Sequence, residues 1–279
     1  MPTWGAIEAG GTKFVCGVGE ELADLQIVRI PNTTPEETLG QVAAFFRGKE
    51  VHYIGVGCFG PLDLNRQSPT YGHITTTPKL AWRNFDIVSW LERNTGAHIA
   101  VDTDVNAAAY AEQQMGAAQG SDNFVYFTVG TGIGGGAICG GQLIHGQSHP
   151  EMGHIPLRRH PDDHFAGLCP AHGDCLEGLA SGPAIATRWG VSPEELPTGH
   201  AAWNLEAYYL AQAAVTASMM LAPEIIVFGG GVCREPSLVG LIEAEVQRQL
   251  GGYLTKPPRV VRTTLEAAGL IGAFLLVQW

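Results

Sequence analysis

Four apolar, β-branched runs in this chain each finish in a cluster of glycines: WGAIEAGG from Trp4, HYIGVGCFG from His52, NFVYFTVGTGIGGG from Asn123 and EIIVFGGG from Glu224. A strand that ends in glycine leads into a turn where the backbone takes φ > 0 or comes close to a ligand. Between these runs lie helical patterns, ETLGQVAAFFRG, FDIVSWLERNTG, VNAAAYAEQQMGAA and LEAYYLAQAAVTASMMLA. Strands that alternate with helices restrict the chain to an α/β architecture with largely parallel sheets, because parallel neighbours need a crossover between them. With 45% hydrophobic residue types in 279 residues, the chain can fill one large core or two ordinary ones.

The order strand, Gly-Thr, strand occurs twice, in IEAGGTKFVCGV and in FTVGTGIGGGAI. This internal similarity predicts two related α/β domains flanking a cleft, with a boundary in GAAQGSD. The N-terminal domain is expected over residues 1–117 and the C-terminal domain over 118–265, with a final helix from about Glu266 (266–279) returning to the first domain. Residues 149–178, rich in His, Pro, Cys and charge, show little regular periodicity, and long irregular segments of compact domains are usually functional. Sixteen Lys and Arg against 27 Asp and Glu give a formal charge of −11 without a basic run, which argues against nucleic acid or an anionic membrane as a partner. The start, MPTWGAIEAGGTKF, lacks the pattern of a signal peptide, and no stretch of about 18 apolar residues occurs, so a cytoplasmic location and reduced cysteines are expected.

Glu8 to Lys13 falls in an expected tight hairpin, where backbone N–H groups of Gly10 and Gly11 and the Thr12 hydroxyl could point at phosphate oxygens, with Lys13 as counter-charge. A plain Gly-rich turn is the alternative. Gly130 to Gly136, with Thr131 and Gly132 at its centre, forms a second such loop. It spells GxGxxG, but AICGGQLI after it reads as a strand and not the helix of a dinucleotide fold, which argues against NAD. Gly229, Gly230 and Gly231 form a third cluster that could accept an adenosine, and three clusters at strand ends together suggest a nucleotide. In IAVDTDVNAAA a helix is expected from near Val105. One of Asp102 and Asp104 could be its N-cap, but not both, and a carboxylate at a strand end could take the proton of a hydroxyl attacking phosphorus.

CPAHGDC supplies Cys169, His172 and Cys175 within seven residues, three of the four ligands of tetrahedral Zn²⁺. His154 is the nearest candidate for the fourth, with His149, His160, His164 and Cys139 as rivals. Four protein ligands would make the site structural. Glu151 and Glu177 flank the proposed ligands, where their carboxylates could accept hydrogen bonds from sugar hydroxyls.

Taken together, EAGGTKFVCGV, CFGPLD, WRNFDI, DTDVNAAAYAE, GTGIGGG, HPEMGH with CPAHGDCLEGLASGPAI, and EAAGLIGAFLLV resemble the ROK family of sugar kinases and repressors, in the actin-like ATPase superfamily. The resemblance runs from about residue 4 to the C-terminus. It implies two actin-like, ribonuclease H-like domains with a small zinc-binding loop subdomain, and a homodimer through the C-terminal domain. Asp104 would be the general base on a sugar hydroxyl. Gly60, Asn84, Glu151, His154 and Glu177 would contact the sugar, with His154 also a zinc ligand beside Cys169, His172 and Cys175. Gly10, Gly11, Thr12, Lys13, Thr131 and Gly132 would surround the phosphates of ATP, Gly230 would lie near its adenosine, and Glu8 would be an outer-shell partner of Mg²⁺.

The chain departs from many members at Glu8, where they have Asp, at Thr103, where they have Asn, and at C-x2-H-x2-C, where most have C-x-C-G-x2-G-C. GAIEAGGTK, DTDVNAAA and CPAHGDCLEGLASGPA are most similar to the bacterial fructokinase branch, which implies ATP-dependent formation of fructose 6-phosphate. A mannokinase or glucokinase of broader hexose specificity is the alternative. A sugar-binding regulator without catalysis is a remote one, weighed down by the presence of Asp104, and a DNA-binding repressor is disfavoured by the acidic charge.

Overall fold

The computed structural model describes residues 3–277. The chain packs as two compact units, one formed by Met1–Ala111, Ile144–Pro150 and Glu266–Trp279 and the other by Glu112–Leu143 and Glu151–Leu265. The division differs from the sequence expectation at two places. It falls after Ala111, inside a helix, and residues 144–150, expected in the second domain, pack with the first.

In the first unit the chain runs β1 (Trp4–Ala9), β2 (Lys13–Gly19), β3 (Gln26–Pro31), α1 (Pro35–Phe46), β4 (Tyr53–Cys58), β5 (His73–Ile74), β6 (Phe85–Asp86), α2 (Ile87–Thr95) and β7 (His98–Thr103). α3 (Asp104–Met115) begins in this unit and ends in the other. The sheet order is β3-β2-β1-β4-β7, with β1, β2 and β3 antiparallel and β1, β4 and β7 parallel. Successive residues of a strand face opposite sides. Ile7 and Phe14 therefore join Leu39, Leu91 and Trp82 on the α1 and α2 side, while Ala6 and Val15 meet Leu270, Ala273 and Phe274 on the other. With both faces covered, β1 and β4 are apolar along most of their length. Local signals set the helix ends: Thr34 caps α1 ahead of Pro35, and Asp86 accepts from Ser89 N at 2.9 Å to cap α2, which ends on Gly96 at φ 73°.

The second unit continues with β8 (Phe124–Val129), β9 (Ile133–Cys139), β10 (Gln142–Leu143), α4 (Leu176–Ala180), α5 (Gly182–Trp189), α6 (Ala201–Leu221), β11 (Ile225–Gly229), α7 (Leu238–Leu250) and β12 (Arg259–Arg262). Its sheet order, β10-β9-β8-β11-β12, repeats the first: an antiparallel pair of hairpins joined to two parallel strands. The weak likeness between IEAGGTKFVCGV and FTVGTGIGGGAI is thus a repeated topology. The last helix, α8 (Ala268–Leu276), packs on β1 and β4 of the first unit, which accounts for its almost wholly apolar sequence.

α6 is largely buried, and it carries Glu206 at 2% exposure with Oε1 lacking any hydrogen-bond partner among the described residues. Burial pushes this carboxyl well above the usual range, opposed by the charge of Arg188. A group whose pKa is raised on folding stabilises fully below its unfolded pKa, and that stability is lost as pH climbs toward the folded value. Glu206→Gln is therefore expected to flatten this loss. Urea unfolding should find variant and wild type nearly equal at about pH 4 and the variant increasingly more stable toward pH 8. A difference that does not change with pH would mean that Glu206 is ionised at no cost.

Candidate active site

In the first unit the hairpin between β1 and β2 closes through Gly10 N donating to Lys13 O at 3.0 Å. Asn32, at the end of β3, backs this loop. Its N–H donates to Thr12 O at 3.0 Å, and its Nδ2 donates to Gly10 O at 2.9 Å and Gly11 O at 3.3 Å. With three carbonyls engaged behind it, the loop has Gly11, Thr12 and Lys13 exposed at its tip. The Lys79 side chain runs beside Gly11 and adds a second cation to the loop. Neither Asn32 nor Lys79 was singled out from sequence, since both lie tens of residues away from the glycines they meet.

Glu8, one residue from the end of β1, is half-buried against Gly269 of α8. Its carboxyl is pushed up by burial and then by the charge of Asp104, while Lys13 and Arg29 oppose the shift. The two carboxylates are therefore close enough to feel each other, an arrangement in which a cation would be welcome.

Asp104 is the first residue of α3 and accepts from Val105 N at 2.9 Å. The capping role expected of an aspartate falls instead on Thr103, whose Oγ1 accepts from Asn106 N at 3.1 Å. Asp102, 3% exposed, accepts from Thr103 N at 2.7 Å and from Asn106 Nδ2 at 2.8 Å, and its other oxygen pairs with His145 Nε2 at 2.7 Å. His145 belongs to the segment 144–150, which is also tied to the turn after β4: Ser148 Oγ donates to Leu62 O at 2.6 Å, and Leu62 N donates to His149 Nε2 at 2.9 Å. Two of the expected sugar contacts lie in this unit. Gly60 lies two residues after β4. Asn84 is exposed in the left-handed region at φ 57°, two residues after Trp82, which is 1% exposed against Phe14, Phe59 and Phe85 and donates from Nε1 to Thr33 O at 3.0 Å. A non-glycine residue held there by a packed neighbour is a frequent mark of a functional turn.

In the second unit the β8–β9 turn is closed by Gly130 N donating to Gly132 O at 2.9 Å, with Thr131 exposed at its tip. Gly230, on the turn after β11, adopts φ 90°, and a Cβ there would lie 2.3 Å from Val129 O, so no other residue fits. The two glycine loops, from neighbouring strands, thus lie side by side.

His154, Cys169, His172 and Cys175 converge, with ligand atoms all within 4.8 Å of one another. The Nδ1 of His154 is 3.6 Å from Cys169 Sγ and 3.5 Å from Cys175 Sγ, and His172 Nδ1 is 3.6 Å from Cys169 Sγ. Bonds of about 2.3 Å to sulfur and about 2.05 Å to nitrogen at a tetrahedral angle imply S···N separations of about 3.6 Å, so the four residues fit a zinc ion. The fold thereby selects His154 over its rivals: His149 is bound to Leu62, His160 rests its ring on Tyr208, His164 is exposed, and Cys139 ends β9. Glu151 is exposed at its residue surface, yet the protein around its carboxyl pushes the group up by desolvation and by the charge of Glu177, while His154 opposes. Glu177, in the first turn of α4, accepts from Ile133 N at 3.0 Å.

Of the expected site residues, Glu8, Gly10 to Lys13, Gly60, Asn84 and Asp104 belong to one unit, and Thr131, Gly132, Glu151, His154, Glu177 and Gly230 to the other. Among the described residues no helix is long and apolar enough to cross a membrane.

The ROK family model matches residues 4–279. The fructokinase of Lactococcus lactis subsp. cremoris is 44% identical, over 91% of this chain and 87% of that protein. The fructokinase of Zymomonas mobilis is 43% identical, over 98% and 95%. The structure of a ROK family glucokinase from Streptomyces griseus in complex with glucose and AMPPNP superposes with a TM-score of 0.81 at 26% identity, covering 98% of each chain.

Proposed function

The chain belongs to the ROK family, and from that premise we propose that it is a fructokinase, transferring the γ-phosphoryl group of ATP to the 6-hydroxyl of D-fructose. What carries the reading is that fructokinases related over nearly the whole length share a chain that also retains, at Asp104, a carboxylate released from helix capping by Thr103.

In this reading Asp104 accepts the hydroxyl proton as the sugar oxygen attacks phosphorus. Asn84, Gly60, Glu151, His154 and Glu177 orient the sugar, and the carboxyl of Glu151, exposed and pushed up beside Glu177, is open to a hydrogen bond with a hydroxyl. The exposed loop tips at Gly11, Thr12 and Lys13 and at Thr131 and Gly132 suit phosphate oxygens, and Gly230 a flat adenosine. Bound with ATP, magnesium would neutralise phosphate charge, and Glu8 would hold its outer shell. Zinc, held by His154, Cys169, His172 and Cys175, would fix the loop that carries the sugar contacts and take no chemical step.

All six cysteines are free of disulfides, which favours a reducing, cytoplasmic setting. Met220 and Tyr253, 75% and 79% exposed on the second unit, offer apolar surface for the expected homodimer.

The test is ADP release from ATP and magnesium with fructose, mannose, glucose or no sugar, compared as kcat/KM. Fructose is expected to exceed the other two by about tenfold or more, the scale of one missing hydrogen bond to a sugar hydroxyl. Equal turnover on mannose or glucose would make the enzyme a broad hexokinase, and turnover indifferent to sugar would overturn the kinase reading.

A further inference from the structure

Glu177 does more than face a sugar. Its Oε2 accepts from Ile133 N at 3.0 Å, the first amide of β9 and the one that directly follows the glycine loop at 130–132. The same oxygen fills the space that a side chain at position 132 would take, since a Cβ on Gly132 would lie 2.7 Å from it. From the other side Gly153, between Met152 and the ligand His154, lies on the carbonyl of Ile133, with room for no side chain: a Cβ there would be 1.7 Å from that oxygen. A third tie comes from Gly182 N, which donates to Gly130 O at 2.8 Å just after α4.

The parts that grip the loop adjoin the metal-ligand cluster in sequence. Glu177 stands two residues after Cys175 and Gly153 one before His154. The two arms are joined to each other by Leu176 N donating to Ile155 O at 3.0 Å and by a bridge between Pro156 and Cys175. The remainder of the segment between these arms is irregular. A metal on His154 and Cys175 would fix the distance between Gly153 and Glu177, and with it both sides of Ile133.

We infer that Glu177 is a positioning residue for the nucleotide, clasping the phosphate loop at Gly130–Ile133 to the metal-holding loop, so that metal occupancy tunes the affinity for ATP as well as for sugar. The inference rests on the kinase reading for the identity of the nucleotide. It separates two roles for one carboxylate, with Oε2 on the loop amide and Oε1 left for the sugar.

The experiment is binding of Mg·ADP, without sugar and without turnover, by calorimetry. Glu177→Ala is expected to weaken it about tenfold, the effect of losing one charge-assisted hydrogen bond. Glu177→Gln, whose amide oxygen can still accept from Ile133 N, should stay within about threefold of wild type by the same argument. A Glu177→Ala protein that keeps its metal and binds Mg·ADP like wild type would leave Glu177 a sugar ligand only and overturn the inference. Should that variant fail to fold, amide exchange in the wild type decides. Removing the metal with a chelator should speed exchange at Ile133, and unchanged protection there would equally sink the idea. Absence of any Mg·ADP binding by the wild type would instead strike at the kinase reading, while exchange at Ile133 would still report on the clasp.

Discussion

Replacing Asp104 by Asn is expected to lower kcat by about 10²-fold or more, the usual contribution of a general base, while fructose affinity and melting temperature change little. The structure gives the reason for so clean a separation. Thr103 caps α3, so the helix start does not depend on the charge at 104, and an amide oxygen can still accept from Val105 N. Asn is isosteric with Asp and unable to take a proton from the sugar. The same change removes the charge that helps push up the Glu8 carboxyl, so Glu8 should titrate closer to its ordinary range. Steady-state kinetics on fructose with a coupled ADP assay, beside a thermal melt, check both halves. Near-wild-type kcat would remove Asp104 from the chemistry. A matched Asp102→Asn control should behave differently: Asp102 is buried with three partners, so its loss should appear first as instability.

The second large effect concerns the metal. Elemental analysis is expected to find about one zinc per chain, and Cys175→Ala to release it with a fall in melting temperature on the order of 10 °C, since loss of a structural metal costs about 4 kcal/mol or more. Cys169 and Cys175 are buried, at 7% and 3% exposure, on a segment whose only ladder contacts are isolated bridges at Pro156–Cys175 and Cys169–Gly173. Deprived of the ion, that segment has little regular backbone pairing to hold it. Sugar affinity should fall with the metal, because His154 is one of the four candidate ligands and Glu151 and Glu177 lie within three residues of His154 and Cys175. A metal-free protein with unchanged melting temperature and unchanged fructose affinity would reduce the four residues to a chance convergence.

The departures from the common family pattern acquire physical content in the fold. Thr in place of Asn at 103 keeps a short oxygen that caps α3, so the Asp104 carboxylate still stands at the helix start. His172 in place of a cysteine keeps a nitrogen donor at 3.6 Å from Cys169 Sγ, so a metal there would still meet four candidate ligands, with less negative charge among them. Glu in place of Asp at 8 extends the carboxylate by one methylene, and Gly269 leaves room for it.

Sequence by itself determined the strand and helix alternation, the two glycine hairpins, the C-x2-H-x2-C trio and the acidic start of α3, because each is written within a dozen residues and follows from local sterics and periodicity. The compact units divide at Ala111, inside α3 and a few residues before the expected boundary, where the sequence shows no change in composition. What only tertiary structure decided were the partners brought from afar: Asn32 behind the first loop, His145 on Asp102 across 43 positions, and Glu177 on Ile133 across 44, while for His154, already the nearest candidate in sequence, it supplied the convergence with the trio. The physical reason is that the cost of closing a long loop barely depends on its length or composition. The intervening residues therefore do not announce which ends will meet, and packing of each sheet with its own helices makes that choice.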